Sequence, residues 1–287
     1  MLRVAIIGGR GQLGRAISEV AANSQNSYVA YDEHEANILD SESLSHALIG
    51  ADVVINCAAY TNVEAAEDDV VMAQKVNADG VTTLSKICSE QGARLIHIST
   101  DYVFGGDITR QTPYTEHDTV APINIYGTSK AEGEAKALCN SDAVVIRTAW
   151  LYAPWNKNFC RTIYSLSATQ SELRVVDDQR GTPTSALSLA RFLVDIIDTG
   201  KLSAMCGIYH YTDSGECSWY DFACAIVELS GNDCRVLPCS SDERPTRAKR
   251  PHYSVLSKDN ILSETRTTLR PWHDALVEVI NRIKSEL

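Results

Sequence analysis

The chain has 287 residues, close to twice the roughly 150 that commonly form one domain, so one large or two unequal domains are expected. Apolar residues make up 44% and charged residues 22%, ordinary globular usage that excludes a disordered, collagen-like or coiled-coil chain. Lys plus Arg number 26 against 37 Asp plus Glu, a net charge of −11 without a basic stripe to track phosphates, which speaks against a nucleic-acid partner. The nine cysteines are an odd number with no C-x-x-C pair, and Cys234 with Cys239 lacks partners at zinc-site spacing, so scattered reduced thiols and no metal centre are expected. The apolar run Leu2–Ile7 is too short for a signal-peptide core, and no window holds the ~20 apolar residues of a membrane span. A cytoplasmic protein that does not enter the membrane is the expectation.

In chain order, Val- and Ile-rich runs at Arg3–Ile7, Ser27–Tyr31, Val53–Asn56, Arg94–Ile98 and Ala143–Arg147 read as strands. Between them, Gln12–Ala22, Ser41–Ile49, Val70–Glu90 and Lys130–Leu138 carry helical periodicity. Strands alternating with helices call for an α/β fold, a Rossmann-like doubly wound parallel sheet with helices on both faces. After Trp150 the pattern loosens into a smaller α+β region. Helices are expected at Phe159–Ser167, Leu187–Thr199, Trp219–Ser230 and Trp272–Glu286, with short strands at Leu173–Val176 and Gly207–Thr212. We therefore expect a dinucleotide-binding domain over residues 1–149, with 184–206 returning to it, and a substrate-binding region from 150–183 and 207–287. With no low-complexity linker between them, the two parts should pack together around a cleft.

The first strand runs into Gly8-Gly9-Arg10-Gly11-Gln12-Leu13-Gly14, which opens a helix. Glycines there permit a tight turn and a close approach of the backbone to a pyrophosphate, while the helix N-terminus supplies amide donors. A glycine-rich turn alone could be an ordinary strand-to-helix connection. Asp32, at the end of the second predicted strand, adds a carboxylate able to accept ribose hydroxyls and favours dinucleotide binding. Asp32 would repel a ribose 2′-phosphate, whereas Arg10 could pair with it, so NADPH and NADH both stay open.

The second constellation is Tyr126-Gly127-Thr128-Ser129-Lys130, preceded by Ser99-Thr100-Asp101 at a strand end. Residues four apart share a helix face, so Tyr126 and Lys130 can act on one ligand. A phenol with a pKa near ~10 needs a neighbouring ammonium to work as an acid or base near neutrality. Lys130 can also donate to a ribose, and the Thr100 hydroxyl can hold the reacting oxygen. By itself the Y-x-x-x-K spacing also fits an exposed helix start.

Gly11-Gln12-Leu13-Gly14, Asn56-Cys57-Ala58-Ala59-Tyr60-Thr61 and Ser99-Thr100-Asp101-Tyr102-Val103-Phe104 occur in that order, followed by Pro122 to Glu134, Arg147 to Tyr152 and Lys249-Arg250-Pro251. With these blocks the chain resembles the extended short-chain dehydrogenase/reductase family over nearly its whole length. The resemblance implies hydride delivery from NADPH or NADH to the C4 carbonyl of a nucleotide-linked 6-deoxy-4-keto sugar. It implies coenzyme contacts from Gly8, Arg10, Gly11, Gln12, Leu13, Gly14, Asp32, Asn37, Ile38, Ala58, Ala59 and Tyr60, with Tyr126 and Lys130. Thr100, Tyr126 and Lys130 would be catalytic, and Thr100, Asp101, Trp150 and Arg250 would meet the substrate. A 4-epimerase or 4,6-dehydratase, or a non-catalytic dinucleotide-binding regulatory subunit, are the alternatives; intact Tyr126, Lys130 and Thr100 argue against the last.

Two departures stand out. The family's second ribose-side block commonly reads Asp-Ile, where this chain has Asn37-Ile38. Some members carry a Glu, used in a metal-linked dimer, at the position of Ala16, so a monomer or a metal-independent homodimer is expected. His97, inside an apolar strand, reads as a core histidine. Trp219-Tyr220-Asp221-Phe222 reads as core packing at a helix start. Arg244, Arg247, Lys249 and Arg250 lie in a Pro-containing loop and could be solvated or could meet the substrate diphosphate.

Overall fold

The computed structural model describes residues 1–285; Glu286, the expected end of the last helix, lies outside the described residues. The main sheet has six strands: β1 (Arg3–Ile7), β2 (Ser27–Tyr31), β3 (Val53–Asn56), β4 (Arg94–Thr100), β5 (Val144–Thr148) and β6 (Gly207–His210). They pair in parallel in the order β6-β5-β4-β3-β1-β2. Strand order therefore reverses between β1 and β3, and the crevice beyond their carboxyl ends is where such sheets take ligands.

Alternate residues serve opposite faces, because successive side chains in a strand point to opposite sides. Val4, Ile6, Val53, Ile55, Ile96, Val144 and Ile146 face a core shared with helices Gln12–Val20 and Ala186–Asp198. Ala5, Ile7, Val54, Leu95 and Val145 face the other core, under helices Ser41–Ala47, Gly80–Gln91 and Ile125–Ala137. Both faces being covered explains why the strands are continuously apolar rather than alternating.

Two expectations change. Gly207–His210, grouped by its sequence position with the smaller region, pairs with Val144–Arg147 as the sheet's edge strand. The helix expected over Val70–Glu90 contains a wide π turn at Lys75–Asp79. Helix Ile125–Ala137 presses against that turn, and a Cβ added at Gly133 would lie 2.0 Å from the Asn77 carbonyl oxygen.

The smaller region adds a parallel pair, Glu172–Val176 with Arg235–Cys239, and helices Phe159–Ser167, Trp219–Ser230 and Trp272–Ser285. Tyr152, Cys160, Ile163, Phe222 and Ile280 join the same core as β1 and β3, so this region has no separate interior. Ala16, at the position discussed for a metal ligand, is completely buried in that core. All nine cysteines are free thiols, and among the described residues no helix is long and apolar enough to cross a membrane.

A buried ion pair ties helix Ile125–Ala137 to β5, with β4 joining through Ser99. Arg147 on β5 donates to both Glu134 oxygens, at 2.8 and 2.7 Å, and the Ser99 hydroxyl donates to Glu134 Oε1 at 2.5 Å. Removing one partner of such a pair leaves an uncompensated charge in a low-dielectric interior. Arg147→Met should lower unfolding free energy by about 3–5 kcal/mol, read as the midpoint shift in urea denaturation. Adding Glu134→Leu to the same chain should recover part of that loss.

Candidate active site

A cavity of about 1050 Å³ runs across the carboxyl ends of the central strands. At one end the glycine turn is pinned to β2: the amides of Gly8 and Gly9 both donate to the Tyr31 carbonyl, at 3.1 and 2.8 Å. Gly8 has φ +83°, and a Cβ there would lie 2.8 Å from the Ala58 nitrogen. A Cβ at Gly14 would lie 2.5 Å from the Gly8 carbonyl oxygen, so only glycine lets helix Gln12–Val20 start this close to β1. That helix has no side-chain cap, leaving its first amides free for an anion.

Asp32 lies at the cavity wall, accepting from the His34 and Glu35 amides at 2.8 and 3.1 Å. Those amides, with the Arg10 guanidinium at 2.5 Å, hold its carboxyl below the usual range. Asn37, Ile38, Ala58, Ala59 and Tyr60 line the next stretch with Arg10, Gly11, Gln12 and Leu13. Gly14 is not on the wall; it shapes the turn from behind. A glycine cradle that a Cβ would fill, uncapped helix amides and a carboxylate at the end of β2 fit the phosphates and ribose of a dinucleotide.

At the other end, helix Ile125–Ala137 begins at Asn124, whose Oδ1 accepts from the Gly127 amide at 2.7 Å. A Cβ at Gly127 would lie 2.1 Å from the Tyr102 carbonyl oxygen, so the helix start sits hard against the turn after β4. Thr100, Asp101, Tyr126 and Lys130 thereby reach the same cavity as the glycine turn. Burial raises the Tyr126 pKa, and a hydrogen bond with Thr100 opposes the shift. Lys130 is buried, and its Nζ donates to the Ile98 carbonyl at 2.6 Å. The ammonium expected beside the phenol is thus held by β4 in this structure, and Thr100 is the group that favours the phenolate. Burial draws the Lys130 pKa down to about 8, against the pull of Glu134 and Cys57.

Asp101 accepts from the Ser254 hydroxyl at 2.6 Å, and burial raises its pKa to about 7. Trp150 adopts a left-handed backbone at φ 46° and stacks on Trp219 at 3.5 Å, with Gly181 leaving room for its ring. Arg250 does not join this wall. It pairs with Glu64 at 2.7 Å and hydrogen-bonds Tyr102, so the position expected at the substrate diphosphate is occupied in an internal contact.

Other wall residues escaped the sequence reading. Asn156, Lys157 and Asn158 close over the glycine turn, with Asn156 Nδ2 donating to the Arg10 carbonyl at 2.9 Å and Asn158 Nδ2 to Gln12 Oε1 at 3.0 Å. Behind the wall, Asn77 in the π turn accepts from the Tyr60 amide at 2.8 Å and donates to Ser129 at 3.0 Å. Its signal was an Asn three residues before Gly80 inside a helical run, where neither residue favours helix. Trp219 packs on Phe159 and Phe222 as expected of a core residue, and also lines the cavity. Among the described residues no cluster of His, Cys, Asp and Glu stands ready to hold a metal ion.

The sequence profile of the family described as RmlD substrate binding domain matches residues 2–285. A dTDP-4-dehydrorhamnose reductase of Mycolicibacterium smegmatis is 41% identical over 281 residues, covering 97% of this chain and 85% of the relative. The crystal structure of a dTDP-4-dehydrorhamnose reductase from Clostridium acetobutylicum superposes with a TM-score of 0.92 at 39% identity, covering 99% of this chain and 100% of the other. The enzyme of that name from Bacillus anthracis, solved in complex with NADP, gives 0.92 at 33% identity, with 100% of both chains covered. A glycine cradle and a Thr-Tyr-Lys group on one cavity wall, in a chain matched along its length, place this protein in the RmlD substrate binding domain family, among relatives that are dTDP-4-dehydrorhamnose reductases.

Proposed function

We propose that this chain reduces the 4-keto group of a nucleotide-linked 6-deoxy-4-keto sugar, converting dTDP-4-dehydro-L-rhamnose to dTDP-L-rhamnose with NADPH or NADH. The observation that carries this reading is the shared wall: Thr100, Asp101, Tyr126 and Lys130 line the same cavity as the glycine turn and Asp32. When bound, the reduced nicotinamide supplies the hydride. In this reading residues 1–149 hold the coenzyme, and Trp150, Trp219 and neighbouring positions of 150–183 and 207–287 meet the sugar. The bulk of such a biosynthetic enzyme would work in the cytoplasm as a monomer or a metal-independent homodimer.

The chain's own groups divide the chemistry. Tyr126 keeps its proton at neutral pH because burial disfavours the phenolate, so it is a proton donor awaiting an alkoxide. Thr100 lies beside the phenol with its hydroxyl proton donated to Asp101 Oδ1 at 3.1 Å, and would turn that proton to the substrate oxygen where negative charge develops. Lys130, one turn along the helix from Tyr126, keeps its Nζ on the Ile98 carbonyl at the cavity wall and would turn it to the coenzyme ribose when the coenzyme is bound. Asp32 and Arg10 occupy the ribose end; the carboxylate suits free hydroxyls and the guanidinium suits a 2′-phosphate.

Three outcomes are expected. Tyr126→Phe should lower kcat by at least ~10²-fold with little change in coenzyme affinity, since general-acid contributions run about 10²–10⁴, and Lys130→Met should damage both. Nicotinamide absorbance with dTDP-4-keto-6-deoxy-mannose as substrate measures this, and near-normal turnover in Tyr126→Phe would remove the assignment. Both coenzymes should support turnover, and Asp32→Ala should shift the ratio of kcat/KM values toward NADPH because a like-charge repulsion is lost. With Ala16 buried in the core, sedimentation and turnover should be the same with EDTA and with magnesium.

A further inference from the structure

Behind Lys130 lies a buried chain of hydrogen bonds. It begins at Ala58, whose amide donates to Asn56 Oδ1 at 3.1 Å. This orients the Asn56 amide so that Nδ2 faces His97 Nδ1 at 3.0 Å. Nδ2 has only protons to offer, so Nδ1 must be the acceptor. His97 is fully buried, and burial together with the charge of Lys130 holds its pKa well below the usual histidine range, so the ring is neutral. A neutral ring that accepts at Nδ1 carries its single proton on Nε2.

His97 Nε2 lies 3.5 Å from Lys130 Nζ. While Lys130 is an ammonium, two donors face each other across that contact. The chain is satisfied from end to end only when Nζ offers a lone pair. Turning the Asn56 amide over does not help, because Nδ2 would then oppose the Ala58 N–H.

We propose that His97 is a positioning residue for Lys130: its Nε2–H, oriented by Asn56, faces Nζ and favours the neutral amine over the ammonium. Strand β4 thus sets how readily the lysine holds its charge, and the same chain links that setting to the Ala58 backbone on the coenzyme side of the cavity. The inference rests on reading Lys130 as part of the reducing site. The other groups facing Lys130 are Glu134, one turn on along its helix, and Cys57, after β3, both of which favour the ammonium. Tyr126 lies one turn back on the same helix, and Asp101 at the end of β4 is engaged by Ser254 and Thr100. Lys75 and Asp79 on the neighbouring π turn are exposed to solvent.

Two measurements on the free, full-length protein test this without turnover. In ¹⁵N-histidine-labelled protein the His97 ring should show the Nε2–H tautomer; the Nδ1–H tautomer would overturn the proposal. In ¹³C-lysine-labelled protein the Lys130 resonance, identified by its loss in Lys130→Met, gives the amine's titration midpoint. His97→Asn keeps an amide near the place of Nδ1 but loses the donor at Nε2, and should raise that midpoint by about one pH unit. His97→Gln places an amide donor near Nε2 and should leave it within a few tenths. Equal midpoints in the wild type and His97→Asn, or equal rises in both variants, overturn the proposal. Should His97→Asn fail to fold, the tautomer in the unaltered chain and the His97→Gln midpoint still decide. Because neither readout uses activity, a failure here is separable from a failure of the Tyr126→Phe test.

Discussion

The Glu134 carboxylate, buried between Arg147 and Ser99, is the contact on which the site depends. Its two oxygens take a guanidinium from β5 and a hydroxyl from β4, so helix Ile125–Ala137 can meet the sheet at one axial position only. One turn toward the N-terminus from Glu134 stands Lys130, and one turn further stands Tyr126, so the same contact places both at the mouth of β4. Gly127 and Gly133 then allow the helix to close against the Tyr102 and Asn77 carbonyls, distances that a Cβ would forbid. An ion pair of this kind adds little net stability over apolar packing, and its contribution here is register.

Around that fixed helix the cavity is built from carboxyl ends of strands on both sides of the point where strand order reverses. The glycine turn follows β1, the Asn56–Tyr60 segment follows β3 and Thr100 ends β4. The smaller region contributes by covering: Trp155 donates to the Gln12 carbonyl at 3.2 Å, and Asn156 and Asn158 bond the turn beside it. Since the two parts share one core, the cover is anchored rather than hinged on a linker.

Burial drives the electrostatics of the site in opposite senses for its two ionisable partners. It raises the Tyr126 phenol and lowers the Lys130 amine, because each charged form loses its hydration. The two groups share a helix face and one cavity, yet the same burial pushes them toward opposite protonation states, each toward its neutral form. The polar groups that refine these tendencies, Thr100 on the phenol and His97 behind the amine, both come from β4, the central strand on this side of the sheet.

The sequence by itself determined the sheet and its helices, because continuous Val and Ile runs between 3.6-period stretches have few other solutions. It also marked the glycine turn, Asp32 and Thr100, Tyr126 and Lys130, which line one cavity, because the spacing of each group is local and regular. Only the tertiary structure decided that Gly207–His210 is an edge strand, since four residues carry no record of which strand they will pair with. It decided that Arg250 pairs with Glu64 and Tyr102, and that Asn156 to Asn158 close over the glycine turn, because both are contacts between residues far apart in the chain. The direction of Lys130 Nζ, toward Ile98 and His97 rather than the phenol, was equally out of reach. Helical spacing places a side chain on a face, but its hydrogen-bond partners are supplied by whatever strand packs beneath it.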